Sequence, residues 1–177
     1  APQDGESKIV FFDRSHYEDI LVPSVMSALH KKDEANPAAM FSDAEIESRY
    51  AQVVAFEKEM AARGVQIVKI YLNMSNAEQY ARLKDRMEKP LKRWKSPPDK
   101  NNKISDHETR KNFDFWVRAR HAVLARTSAW WSQWHVIGAD DKSTRDLAAV
   151  KLVRKEMERM NLHFPEYPAL DGVKVPK

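Results

Sequence analysis

Three short apolar runs, at 8–12, 65–72 and 134–138, are separated by longer segments whose apolar residues recur at helical spacing. Strands alternating with helices in this way favour an α/β fold with a parallel sheet and right-handed crossovers. The helical segments also carry start signals. Ser42-x-x-Glu45, Ser75-x-x-Glu78 and Ser105-x-x-Glu108 place a hydroxyl and a carboxylate three residues apart, so that the two side chains can satisfy free backbone donors at a helix start. The spacing predicts helices over 43–63, 75–89, 106–127 and 143–160, and an earlier helix broken by the charged stretch 31–37. Within 43–63, Ile46, Tyr50, Val53, Val54, Phe56 and Met60 form the expected apolar stripe, with Glu45, Glu47, Lys58 and Glu59 left to solvent.

The first apolar run, Ile9-Val10-Phe11-Phe12, ends in Asp13-Arg14-Ser15-His16-Tyr17-Glu18-Asp19. As a buried strand it would deliver a carboxylate to its own C-terminal edge, where open α/β sheets bind ligands. A strand-end Asp is also how many P-loop phosphotransferases hold Mg²⁺ beside a nucleotide. Taken alone, Asp13 could instead cap the next helix, and Arg14 could form a salt bridge to Glu18 or Asp19.

Composition narrows the setting. At 177 residues the chain is long enough for one domain, 1–177, with a real core. Hydrophobic residues at 42% and charged residues at 32% suit a globular protein, and no apolar run approaches the ~20 residues that span a bilayer. The absence of cysteine excludes disulfides and cysteine-ligated metals and fits a cytoplasmic protein. The six histidines form no metal spacing, and no G-x-S-x-G or catalytic cysteine points to hydrolytic chemistry. Net charge is only +4, but Arg82, Lys84, Arg86, Lys89, Lys92, Arg93, Lys95, Lys100 and Lys103 cluster against just three acids. Such a cluster attracts a polyanion, although a solvated helix face is the commoner meaning of a basic run. Arg82, Arg86 and Lys89 are spaced to share one helical face. Ser96-Pro97-Pro98 cannot continue a helix and would suit a hinge.

The block at 13–19 resembles the segment around the second phosphate-binding motif of the family-2 polyphosphate kinases, which move phosphoryl groups between inorganic polyphosphate and nucleotides. The stretch 64–75 with Glu78, Gln79, Arg82, Arg86, Pro90, Lys92, Trp94, Lys95 and Ser96 is similar to that family's fourth strand and lid. Arg126-Thr127-Ser128, Trp134–Ile137 and Ala139–Lys142 are similar to its last strand and the loop after it. The resemblance implies a P-loop kinase-like three-layer sandwich with a helical lid at about 78–112 and a C-terminal tail at 161–177. It implies phosphoryl transfer between polyphosphate and ADP, GDP or AMP, with Mg²⁺ as cofactor, no nucleic-acid or membrane partner, and a homo-oligomer. The site residues it implies are Asp13 on the metal, Arg14 and Glu18 beside it, and Arg82, Arg86, Lys89, Lys92 and Lys95 on the phosphates.

One departure stands against the family pattern. The only glycines are Gly5, Gly64, Gly138 and Gly172, and no pair frames a G-x-x-x-x-G-K phosphate loop. The expectation is therefore a C-terminal part of a longer kinase, with the first strand and phosphate loop missing. An ordinary ATP-dependent nucleotide kinase of the same fold and a non-catalytic polyanion binder are the alternatives. In the implied sheet the missing strand lies between 8–12 and 65–72, so these two should not pair directly.

Overall fold

A computed structural model describes residues 8–30, 42–95 and 106–162. Six α-helices and two strands follow in the order α1 (Glu18–His30), α2 (Asp43–Ala62), β1 (Lys69–Asn73), α3 (Asn76–Glu88), α4 (Asp106–Lys111), α5 (Phe113–Thr127), β2 (Trp134–Gly138) and α6 (Lys142–Arg159), with a 3₁₀ helix at Pro90–Lys95. β1 and β2 pair in parallel, Lys69 opposite Trp134 through Asn73 opposite Gly138. The Ala139 amide donates to the Asn73 carbonyl at 2.8 Å, carrying the pairing one residue past β2.

Helix starts follow the sequence. Ser42 and Glu45 form a complete capping box at the head of α2, and Ser75 accepts from the Glu78 amide at the head of α3. Ser105 and the proline-rich stretch 96–102 lie outside the described residues, as does the tail from 163. The helix expected over 106–127 is divided at Asn112, where α4 ends and α5 begins.

The core forms where α1, α2 and α5 meet. Tyr17, Ile20, Tyr50 and Val123 are buried together, with Leu21, Ile46, Val53 and Trp134 packed around them. α1 carries Pro23 internally, and proline has no N–H to give the Asp19 carbonyl four residues back. Arg49 of α2 donates to that carbonyl at 2.9 Å, so the freed acceptor becomes a tie between two helices. α3 packs on the 3₁₀ helix and α4, while α6 packs on β2.

Three expectations need correction. Residues 8–12 do not form a strand, and their side chains are exposed rather than buried, Phe11 by 77%. An apolar run becomes a strand only when a neighbouring edge accepts its backbone hydrogen bonds, and no described segment supplies that edge. In α2 the stripe is also displaced by one residue at its C-terminal end: Phe56 is exposed by 52% and Glu57 is buried. The strand expected at 65–72 is shorter and shifted, running from Lys69 to Asn73.

Candidate phosphate site

The carboxyl ends of two parallel strands converge on α3. Beyond β1, the Ser75 amide donates to Asp140 at 2.8 Å, and this bond holds the Asp140 carboxyl below its ordinary range. Beyond β2, the carbonyls of Ala139 and Asp140 accept from one nitrogen of Arg82 at 2.7 and 3.0 Å, while Glu78 holds the guanidinium from its own helix at 2.7 Å. Arg82 thus sits at the carboxyl end of β2, and Asp140 in turn links that end to the turn after β1, in the crevice where sheets of this type bind ligands. Asp141 caps α6 by accepting from the Thr144 amide.

Among the described side chains of this region, Lys84, Arg86, Lys89 and Lys92 are paired with acids. Arg86 reaches Asp106 of α4 at 2.9 Å. Lys89 and Lys92 both contact Asp85, and their hydrogen bonds pull that carboxyl down to about 2. Lys95 closes the 3₁₀ helix, and its side chain lies outside the described residues. Arg110 of α4 donates to the Asn76 carbonyl at 2.9 Å and stands 5.5 Å from the Tyr80 ring centroid, fastening α4 to the start of α3.

At the start of α1, the Arg14 guanidinium grips Glu18 through three hydrogen bonds, which raise the Arg14 pKa and lower that of Glu18. Asp13 is exposed, and no described residue donates a hydrogen bond to its carboxylate. Among the described residues no hydrogen bond or ion pair links Asp13, Arg14 or Glu18 to Arg82, Arg86, Lys89 or Lys92. Nor do the described residues include any group of three or more His, Asp or Glu side chains able to hold a metal ion.

The residues that tie the 13–18 segment to the sheet are not on the sequence-derived roll. Glu57 accepts from the Tyr17 hydroxyl at 2.5 Å, from Lys69 at 2.8 Å and from Ser132 at 2.7 Å, and lies 3.5 Å from His16. Burial alone would push the Glu57 carboxyl up, but the hydrogen bonds of His16, Lys69, Tyr17 and Ser132 outweigh it and bring it down to about 2. Burial lowers Lys69, with Glu57 opposing, and both burial and Glu57 push the Tyr17 hydroxyl up. A signal for the pair did exist. Glu57 falls in the i, i+4, i+7, i+11 series from Ile46 through Tyr50 and Val53, and Lys69 interrupts an otherwise apolar strand segment.

A parallel sheet with helices around it, an arginine at its carboxyl end and acid-capped loops there is an α/β arrangement with a ligand-binding edge. Comparisons carry this to the family. The family model for polyphosphate kinase 2 matches residues 1–165. The AMP/ADP-polyphosphate phosphotransferase of Meiothermus ruber is 30% identical over 166 residues, 94% of this chain and 55% of the relative. The ADP-polyphosphate phosphotransferase of Pseudomonas aeruginosa is 31% identical over 170 residues, 93% of this chain and 49% of the relative. The crystal structure of polyphosphate kinase 2 from Arthrobacter aurescens TC1 superposes with a TM-score of 0.71 at 30% identity, covering 93% of this chain and 50% of that one. The chain belongs to the polyphosphate kinase 2 family. It spans about half the length of these relatives.

Proposed function

We propose that the protein transfers a phosphoryl group between inorganic polyphosphate and a nucleoside mono- or diphosphate. The observation that carries this reading is the placement of Arg82 at the carboxyl end of β2, on the helix that continues through Arg86 and is followed by Lys89 and Lys92. A linear polyanion matches such a series of cations, because successive phosphates meet successive positive charges. The names of the two relatives support AMP and ADP as acceptors, and GDP belongs to the same acceptor class.

Phosphoryl transfer demands positioning and charge neutralisation rather than covalent help from the protein. In this reading Arg14 contacts the transferring phosphates with its planar fork while Glu18 fixes its orientation. Arg82, Arg86, Lys89, Lys92 and Lys95 hold the polyphosphate chain, with 78–112 as a lid. Asp13 fits a Mg²⁺ ion of the kind that kinases use, which keeps several waters and takes one or two carboxylates plus substrate phosphate oxygens. Its exposed carboxylate, free of described donors, leaves room for those other ligands. When bound, the ion neutralises charge on the phosphate oxygens.

The test supplies ADP, long-chain polyphosphate and Mg²⁺ to the full protein and follows ATP by coupled light emission. ATP formation that falls by about 100-fold in Asp13→Asn is expected. Turnover unchanged in that variant would overturn the role of Asp13. Phosphorylation of AMP by ATP without any use of polyphosphate would replace the reading with an ordinary nucleotide kinase. Binding of polyphosphate with no turnover, weakened by salt, would leave a polyanion binder.

A further inference from the structure

We propose that Glu57, acting through Tyr17, is a positioning residue that holds the Asp13–Glu18 segment in place for phosphoryl transfer, an inference that rests on the function proposed above. The 8–12 stretch forms no ladder with either strand, so pairing within the described sheet does not restrain this segment from its N-terminal side. What restrains it is Tyr17. Its carbonyl accepts from the amides of Ile20 and Leu21 at 3.2 and 2.9 Å and so begins α1, while its ring meets Trp134 edge-on at 4.7 Å. Its hydroxyl donates to Glu57 and accepts from Lys69 at 2.9 Å.

Four parts of the chain meet at this point. Glu57 comes from the inside of α2, Lys69 from the first residue of β1, Ser132 from the loop before β2, and the Thr127 carbonyl from the end of α5. Lys69 spends its three protons on Glu57, Tyr17 and the Thr127 carbonyl, the last at 2.6 Å. No buried side-chain nitrogen or oxygen among the described residues lacks a partner. A fully satisfied buried network of this kind has one low-energy geometry, because each lost bond leaves a polar atom stranded away from water. Tyr17 thereby acquires a fixed position relative to the sheet. The flanking residues inherit it: Glu18, which orients Arg14, is the next residue, and His16 packs against Tyr17 and Phe56.

Tyr17→Phe tests this, since it removes the hydroxyl and keeps the ring. Ser42→Ala is the control: it weakens the cap of α2, has no contact with Tyr17, and lowers stability without touching the 13–18 segment. Amide exchange by mass spectrometry is expected to show peptide 13–21 opening about tenfold more often in Tyr17→Phe, beyond any change elsewhere in the molecule. In Ser42→Ala that peptide should change no more than the rest of the chain. In the ATP-forming assay, kcat should fall about tenfold or more in Tyr17→Phe with KM for polyphosphate unchanged, and stay within about twofold in Ser42→Ala. Exchange raised uniformly in Tyr17→Phe would overturn the positioning role. Local opening with kcat unchanged would overturn its connection to the chemistry. A wild-type protein that makes no ATP would refute the phosphotransfer reading instead, and the exchange result would then decide the positioning role by itself.

Discussion

Replacing Lys69 by methionine should be among the most damaging single changes to this fold. Methionine has about the length of the lysine stem but no charge, so packing along β1 is largely kept while the ammonium disappears. Glu57 is only 2% exposed, and without Lys69 its carboxylate keeps the hydroxyls of Tyr17 and Ser132 but loses the one fully buried cation beside it among the described residues. The Thr127 carbonyl loses its lysine donor at the same time. Removing one partner of a buried ion pair typically costs about 3–5 kcal/mol, because the surviving charge is left uncompensated. For a chain of this size that corresponds to a fall in Tm of roughly 6–20 °C. The double variant Glu57→Gln/Lys69→Met should recover part of the loss, since the neutral amide can accept from one of the Tyr17 and Ser132 hydroxyls, donate to the other, and needs no counter-ion. Urea unfolding followed through tryptophan fluorescence is a suitable assay, as the Lys69 ammonium lies 5.3 Å from the Trp134 ring centroid. Lowering pH should narrow the gap between Lys69→Met and wild type, because the stranded carboxyl can then take up a proton. A loss under about 1 kcal/mol in Lys69→Met, or a double variant no better than the worse single one, would refute the reasoning.

Other expectations follow from the same contacts. Glu57 sits at about 2 in the folded protein against an ordinary 4.5, so its contribution of roughly 3 kcal/mol is present above pH 4.5 and is lost as pH falls toward 2. Lys69 is lowered, which costs stability at neutral pH and is relieved as pH rises through its folded value, so it leaves the acid limb unaffected. Acid unfolding of Glu57→Gln should accordingly be shallower than that of wild type between about pH 5 and 2, and a parallel pair of curves would count against the assignment. Asp85→Asn releases Lys89 and Lys92 from their shared partner and should tighten polyphosphate binding by about threefold, with a steeper dependence on salt. Anisotropy of a labelled polyphosphate chain at two ionic strengths reads this directly, and weaker binding would mean that Asp85 orders the lysines for the ligand rather than competing with it.

Local signals in the sequence translated into local structure. The Ser42 box and the Ser75 cap act within a single turn, so the amides they satisfy are fixed by chain geometry wherever the helix lies in space. Ile46, Tyr50 and Val53 likewise face the core because the helical period puts them on one side. β2 was legible at its observed residues, and the Arg14–Glu18 contact was one of two pairings the sequence left open for that arginine. The family resemblance, carried by several separated blocks in order, was legible without any structure. At residues 8–12, Glu57 and Arg82, what the sequence lacked was information about a partner distant in the chain. Ile9–Phe12 has every local mark of a strand and yet forms none, because a strand needs an adjacent edge and the described sheet consists of β1 and β2 alone. The place of Glu57 on the inner face of its helix has no evident purpose in the sequence until Lys69, twelve residues on, and Ser132, seventy-five residues on, arrive within 3 Å of it. Arg82 reads in the sequence as a lid cation, and only the fold shows its guanidinium on carbonyls fifty-seven and fifty-eight residues away. By itself the sequence determined where helices begin and which residues are apolar, since these depend on neighbours within a turn. Only the tertiary structure decided which edges pair, which charges are buried, and which cation reaches the end of β2, because those free energies depend on atoms brought together by folding.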